Sequence, residues 1–231
     1  MTIRSTCVLA AAAILFAACG GAANAPTPTD TATTAPTATA AATSGATATA
    51  AGTWTIGSDT KATISVREQL VGVNLPSDAV LTAKGATGTF AINSDGTFSG
   101  DSKITIDVTT LASDQRDRDN FVKMDTLQTR QFPTATFVPM KVTGLTLPFA
   151  SGEELKFTLA GKMTIHGKTK DVTFDVVAKR SGGTLTATAT ANPTWKFEDF
   201  GMSAPSVPFR VVSVNDEIRL VVDIVATGSA S

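Results

Sequence analysis

The chain has 231 residues, of which 17% are charged, and its formal net charge is −1. This near balance gives no electrostatic reason to expect nucleic acid or an anionic membrane surface as a binding partner. The two cysteines, Cys7 and Cys19, both lie close to the N-terminus. The rest of the chain therefore has no disulfide, no thiol nucleophile and no cysteine metal site.

Residues 1–18 are predicted to be a lipoprotein signal peptide. Arg4 supplies a positive charge, and the apolar run from Cys7 to Phe16 has the length of a signal core and is too short to span a membrane. Small residues then precede Cys19 and resemble the lipobox of bacterial lipoproteins, although Phe16 stands where that motif usually has leucine. The resemblance implies a lipid on Cys19 and a chain anchored to a bacterial membrane, facing outside the cytoplasm. The alternative is an ordinary secretory signal cleaved near residues 22–25, with Cys19 discarded.

Residues 19–51 are predicted to be the lipidated cysteine and a disordered tether. After Cys19 the segment is almost wholly Ala, Thr, Pro, Gly and Ser, and it cannot build a core. A flexible coil of this length spans about 32 Å on average. The segment is interpreted as a spacer between the membrane and a folded domain.

Residues 52–231 are predicted to form one all-β domain. Apolar and polar residues alternate over 102–108, 155–159, 172–176 and 218–224, which indicates half-buried strands. Turn-forming residues separate such runs at Ser94-Asp95-Gly96, His166-Gly167-Lys168, Ser181-Gly182-Gly183 and Asn215-Asp216. Short connections favour antiparallel hairpins, and about eight strands fit, as a barrel or a sandwich.

One stretch breaks the alternation. Residues 111–131 are highly charged, Ser113 is a plausible N-cap, and Asp114 and Asp117 suit a first helical turn. We expect one or two short helices here, followed by Pro133 and then a strand.

Four blocks of sequence, residues 118–121, 132–137, 161–172 and 199–202, resemble the YceI family in composition, order and spacing. The resemblance covers about residues 52–227 and implies a lipocalin-like antiparallel β-barrel. It also implies export, roles around the cell envelope, and a lumen that holds a long polyisoprenoid chain or a similar amphiphile. The family's usual His-Ser pair near its first strand is missing here, so ligand contacts at that pair are not transferred.

Catalytic chemistry is not predicted. His166 is the single histidine and tyrosine is absent, so a zinc or iron site is disfavoured; no nucleotide or cofactor motif occurs. We interpret His166 as a turn residue whose imidazole bonds to neighbouring backbone. Arg118 and Asp119 are predicted to fasten the helix to the barrel rim. The alternative for Arg118 is contact with the polar head group of a ligand.

A lumen that binds a hydrocarbon chain is lined by apolar side chains, and ten residues on alternating apolar faces are candidates. Ordinary core packing is the alternative for each of them. A second apolar group near the last strands either gates the barrel mouth or closes its end. The lumen candidates are Phe90, Ile92, Ile104, Ile106, Phe137, Phe157, Leu159, Met163, Phe174 and Val176, and the second group is Trp195, Phe197, Phe200 and Met202.

Three functional hypotheses follow. The leading one is a membrane-anchored, non-catalytic protein that sequesters or carries an isoprenoid or similar amphiphilic lipid, with no cofactor and no metal. The second is a structural or interaction module of the cell envelope whose barrel is filled by its own side chains. The third is a hydrolase that uses the acidic cluster around Asp119.

Overall fold

The computed structural model describes residues 50–147 and 151–230. Within them lie ten β-strands and one short α-helix, with a π-helical turn directly after it at Val122–Thr126. The elements are β1 Ala50–Ile56, β2 Lys61–Leu70, β3 Ser77–Ala83, β4 Thr87–Asn93, β5 Lys103–Asp107, α1 Arg116–Phe121, β6 Thr134–Thr143, β7 Glu154–Ile165, β8 Lys168–Ser181, β9 Thr184–Ala191 and β10 Val211–Ala230. The signal peptide, Cys19 and almost all of the proposed tether lie outside the described residues, so those assignments stay predictions.

The strands form where apolar side chains alternate with polar ones. In β8 the side chains of Val172, Phe174, Val176 and Ala178 are buried, whereas Asp175 between them is exposed. Successive side chains of a strand point to opposite faces, so this alternation buries one face and leaves the other in water. The predicted all-β, antiparallel fold class is confirmed.

Hydrogen-bonded pairings run around the molecule and return to their starting strand. Starting at β1 they pass through β4, β5, β6, β7, β8, β9 and β10, and β10 pairs again with β1. These eight strands form a closed ring, which agrees with the predicted number. Of the remaining strands, β2 pairs with residues 211–223 of β10, with Val222 opposite Ala62 and Val214 opposite Glu68, and β3 pairs with the other edge of β2.

The ring closes at a glycine. Gly228 of β10 lies opposite Trp54 of β1, and a Cβ atom added there would overlap the carbonyl oxygen of Thr53. The two backbones can therefore approach at this position only because residue 228 has no side chain.

Three of the four predicted turns are confirmed and one is wrong. Residues 94–96 form a turn after β4, in which the Gly96 N–H donates to the Asn93 carbonyl oxygen at 3.0 Å. His166 and Gly167, with φ of 50° and 71°, connect β7 to β8, and residues 182–183 connect β8 to β9. The left-handed conformations of both His166 and Gly167 are typical of a type I′ hairpin. Asn215 and Asp216 do not form a turn, because β10 continues through them. They lie where the β2–β10 register shifts, between Val214 and Ile218.

The predicted helical segment is present, but its N-cap is not Ser113. Gln115 precedes α1 and makes no side-chain capping bond. The Ser113 hydroxyl instead accepts from the Gln115 N–H at 3.1 Å and donates to Asp119 Oδ1 at 2.6 Å. Ser113 therefore shapes the turn before the helix, and Asp119 fixes that turn.

Candidate functional site: an apolar cavity within the ring

A cavity of about 690 Å³ lies between β2, β3 and the first half of β10 on one side and the segment around α1 on the other. Pockets of 300–1,000 Å³ are typical of sites for small organic ligands. Of its 38 lining residues, only six carry a charged, amide or hydroxyl group. They are Glu68, Gln115, Asp117, Arg118, Thr126 and Arg210. The cavity is therefore suited to an apolar molecule with a small polar part.

The cavity is elongated along β2. Alternate residues of this strand line it, from Ala62 through Ile64 and Val66 to Glu68 and Leu70. Eight residue steps along a strand correspond to about 26 Å. The space therefore accommodates an extended chain better than a round molecule.

Exposed apolar side chains surround the mouth of the cavity. Val71 and Val73, beyond the end of β2, are 53% and 46% exposed, and Phe209 is 95% exposed. All three line the cavity, and the Val71 N–H donates to the Arg210 carbonyl oxygen at 3.0 Å. This bond joins the two segments that carry the apolar rim.

A second, smaller cavity lies nearer the other end of the ring. Its volume is about 70 Å³, its lining is wholly apolar, and Ile104 lines both spaces. Strand β1 begins at this end, since Ala50 lies opposite Asn93 of β4 and Gly52 lies opposite Ala230. The chain thus enters the ring at the end away from the large cavity's mouth.

Aromatic side chains pack in a row along one wall of the large cavity. The ring centroid of Phe174 lies 5.3 Å from that of Phe137 and 5.8 Å from that of Trp195. The ring centroids of Trp195 and Phe200 are 5.2 Å apart. Phe137, Trp195 and Phe200 line the cavity, whereas Phe174 lines neither cavity and is 3% exposed. Phe174 therefore supports the aromatic wall from behind.

The segment between β9 and β10 is held in place by polar contacts. The Phe197 N–H donates to Asp216 Oδ1 at 2.9 Å, and Trp195 exchanges backbone hydrogen bonds with Ile218. Asp199 accepts from the Lys196 N–H at 2.9 Å and from Lys170 Nζ at 3.0 Å. The Lys196 N–H and the Lys170 ammonium together lower the pKa of Asp199.

His166 lies in the predicted turn, but its imidazole does not bond to neighbouring backbone. Nδ1 is 3.3 Å from the carbonyl oxygen of Phe200, and the imidazole ring lies 4.8 Å from that of Phe132. A carbonyl can only accept, so Nδ1 carries the proton in this contact. His166 thus connects the β7–β8 turn to the segment that supplies the aromatic wall.

The polar end of the large cavity contains an ion pair of low exposure. Arg118 Nη2 donates to Glu68 Oε1 at 2.6 Å, and the two side chains are 18% and 8% exposed. This pair joins α1 to β2, as predicted for Arg118. The same prediction is wrong for Asp119, whose carboxylate bonds to Ser113 in the turn before the helix. Because Arg118 also lines the cavity, its alternative role at a ligand head group stays a prediction.

The structure divides the ten lumen candidates between the two spaces. Ile104, Ile106, Phe137 and Met163 line the large cavity. Phe90, Ile92, Phe157, Leu159 and Val176 line the small one, together with Ile104, and Phe174 lines neither. Trp195, Phe197, Phe200 and Met202 all line the large cavity. Contact of these residues with a ligand stays a prediction.

Sequence reasoning missed the residues of β2 and β3 that line the large cavity. The β2 alternation Ala62, Ile64, Val66, Glu68, Leu70 was the available signal, and Glu68 interrupts it with a carboxylate on the inward face. A charge at an inward position marks either a buried ion pair or a functional site.

Within residues 50–147 and 151–230, no three His, Cys, Asp or Glu side chains are grouped so as to hold a metal ion. No helix there is long and apolar enough to cross a membrane.

The chain combines a closed antiparallel ring of strands with a large apolar cavity, and comparisons with known proteins identify its family. The model of the YceI-like domain matches residues 37–226. The chain belongs to the YceI-like family. A UPF0312 protein of Pseudomonas putida strain F1 is 30% identical over 145 residues, which cover 57% of this chain and 71% of that protein.

Solved structures share the fold. A polyisoprenoid binding domain from Saccharophagus degradans superposes with a TM-score of 0.56 at 10% identity, covering 78% of this chain and all (100%) of that domain. BcnA of Burkholderia cenocepacia gives a TM-score of 0.53 at 22% identity, over 73% of this chain and 96% of BcnA. A YCEI protein of Campylobacter jejuni gives 0.51 at 18% identity, over 70% and 93% of the two chains. At these identities the likeness shows the fold alone.

Proposed function

We propose that this protein binds a long-chain isoprenoid or a similar amphiphilic lipid in the large cavity and sequesters or carries it without catalysis. The observation that carries the proposal is the elongated cavity of about 690 Å³, with an almost wholly apolar lining and an exposed apolar rim. Removing an apolar chain from water contributes about 25 cal/mol per Å² of buried surface. A long chain therefore binds well with few polar contacts.

Family membership supports the same proposal. The Saccharophagus degradans domain that shares this fold is described as polyisoprenoid binding. The rival hypothesis, a ring filled by its own side chains, predicts a packed interior at the position where the large cavity lies.

The test is organic extraction of the purified protein followed by mass spectrometry. We expect recovery of a lipid in stoichiometric amount, and a marked reduction in the variant Ala79→Phe, which places a ring in the cavity because Ala79 is buried and lines it. Ala112→Phe is the matched control, since Ala112 is exposed and lines neither cavity. Repeated recovery of no lipid, with no uptake of added isoprenoid, contradicts the proposal.

We further propose that the protein is exported and anchored to a membrane by a lipid on Cys19. The support is the signal-like sequence of residues 1–18. Strand β1 begins at the end of the ring away from the mouth of the large cavity. The predicted tether has about 30 residues, and a random coil of that length spans about 30 Å on average. That reach allows the mouth to turn toward the membrane or away from it.

The anchor is tested by fractionating cells that express the wild type and the variant Cys19→Ser. The wild type is expected in the membrane fraction with an acylated N-terminal cysteine, and the variant is expected without acylation. An unmodified N-terminus beyond residue 19 in the wild type contradicts lipidation and favours ordinary secretion.

A further inference from the structure

The charged residues that line the large cavity are balanced in pairs. Glu68 and Asp117 are acidic, Arg118 and Arg210 are basic, and each cation faces a carboxylate. Arg118 Nη2 lies 2.6 Å from Glu68 Oε1, and Arg210 Nη1 lies 3.7 Å from Asp117 Oδ2. The Arg210–Asp117 pair is exposed and therefore weak. The described part of the lining thus has one firmly paired cation and no excess of positive charge.

Both terminal nitrogens of Arg118 are already engaged. In addition to the bond from Nη2 to Glu68, Nη1 donates to Asp114 Oδ1 at 2.7 Å and to Ser113 Oγ at 3.4 Å. An incoming anion would have to compete with two carboxylates for this guanidinium. Charge-assisted bonds of such short length are among the strong ones.

Glu68 has the position that makes this competition unfavourable. It lies on the inward face of β2 between Val66 and Leu70, and its side chain is 8% exposed. A phosphate that displaced Glu68 from Arg118 would leave a carboxylate of low exposure unpaired beside a second negative charge. Two costs oppose the displacement of Glu68 by a phosphate: the desolvation of the carboxylate is no longer compensated by Arg118, and the two negative charges repel each other. A hydroxyl or carbonyl group meets neither penalty, and Gln115 and Thr126 supply uncharged polar groups in the lining.

We propose that Glu68 makes the cavity selective for a lipid with an uncharged polar end and against the same chain ending in a phosphate. Glu68 is thereby a specificity-determining residue: it keeps Arg118 neutralised. This inference rests on the proposed function, because it concerns the ligand of that same cavity.

The test compares two probes that differ only at their polar end, farnesol and farnesyl monophosphate, with the wild type and the variant Glu68→Gln. In the wild type, farnesol is expected to bind at least about tenfold more tightly than the monophosphate, the ratio that one charge-assisted hydrogen bond supplies. In Glu68→Gln, monophosphate affinity is expected to rise about tenfold, with little change for farnesol. The double variant Glu68→Gln/Arg118→Gln is expected to lose that gain, which assigns it to Arg118.

Glu154→Gln is the matched control, because it removes the same charge from β7, where Glu154 is 61% exposed and lines neither cavity. It is expected to leave both affinities unchanged. If neither probe binds the wild type, the proposed function fails. If both bind the wild type equally, or the monophosphate binds more tightly, only the selectivity inference is overturned. The wild-type comparison decides alone if Glu68→Gln does not fold, and thermal unfolding of each variant establishes that point.

Discussion

An alanine in the wall of the large cavity and an alanine in the packed core are expected to respond in opposite ways to enlargement. Ala79 of β3 is 5% exposed and lines the cavity, opposite Val66 of β2. Ala226 of β10 is fully buried (0% exposed), lines neither cavity, and lies between Ile56 of β1 and Leu185 of β9. The substitution Ala→Leu adds the same three carbon atoms at both positions, and only Ala79 has open space beside it.

The magnitudes follow from the transfer of those atoms. Three buried carbons contribute about 2 kcal/mol at roughly 0.8 kcal/mol each, and fixing the leucine side chain costs about 0.5–1 kcal/mol. Ala79→Leu is therefore expected to raise the free energy of unfolding by about 1 kcal/mol or to leave it unchanged. Ala226→Leu is expected to lower it by about 1–3 kcal/mol, the usual cost of adding volume to a packed core.

The assay is equilibrium urea unfolding of both variants and the wild type, followed by tryptophan fluorescence. A loss of stability in Ala79→Leu as large as that in Ala226→Leu would refute the reasoning, because it would mean that side chains fill the cavity in solution. That outcome would favour the structural module over the lipid-binding protein.

Three further outcomes are expected. Phe174→Ala lowers the free energy of unfolding by about 3–5 kcal/mol, since Phe174 is buried between two aromatic rings; a loss below about 1 kcal/mol contradicts that role. Asp199→Asn lowers the free energy of unfolding at pH 7 by about 1 kcal/mol, and this difference disappears as the pH falls below about 4. A carboxyl group whose pKa is lowered in the folded state stabilises the protein above its unfolded pKa, and this stability is lost below its folded pKa. A difference in thermal unfolding that does not depend on pH contradicts the assignment. Gly228→Ala disrupts the pairing of β1 with β10, so amide hydrogen exchange is expected to become faster in β1 while β8 serves as the reference strand. Unchanged exchange in β1 contradicts the close approach of the two backbones at Gly228.

Strands were predictable where one face is uniformly apolar, as in β8 with Val172, Phe174 and Val176. The alternating pattern could not show which of the apolar residues pack in the core and which line the cavity. Phe137 and Phe174 are both buried aromatic residues on inward faces, yet only Phe137 borders the large cavity. Their difference depends on how the ring is filled around them, which is a property of the whole fold.

Local turn chemistry was misleading at Asn215 and Asp216. These residues favour turns, but here they lie at a register shift within β10, where Asp216 holds the Phe197 backbone. The significance of Glu68 was likewise hidden, because its partner Arg118 is 50 positions away in the chain. The roles of Asp216 and Glu68 depend on contacts between segments that are distant in the chain, and a single sequence does not reveal such contacts.

The most direct test of lipid binding is a titration of geranylgeraniol against tryptophan fluorescence. The chain has two tryptophans; Trp195 lines the large cavity, whereas Trp54 is buried and lines neither cavity. We expect a saturable change in fluorescence with one site per chain, and we expect this change to be lost in Trp195→Phe, in which Trp54 remains. No change on titration, or an unsaturable change that persists in Trp195→Phe, would contradict binding in this cavity.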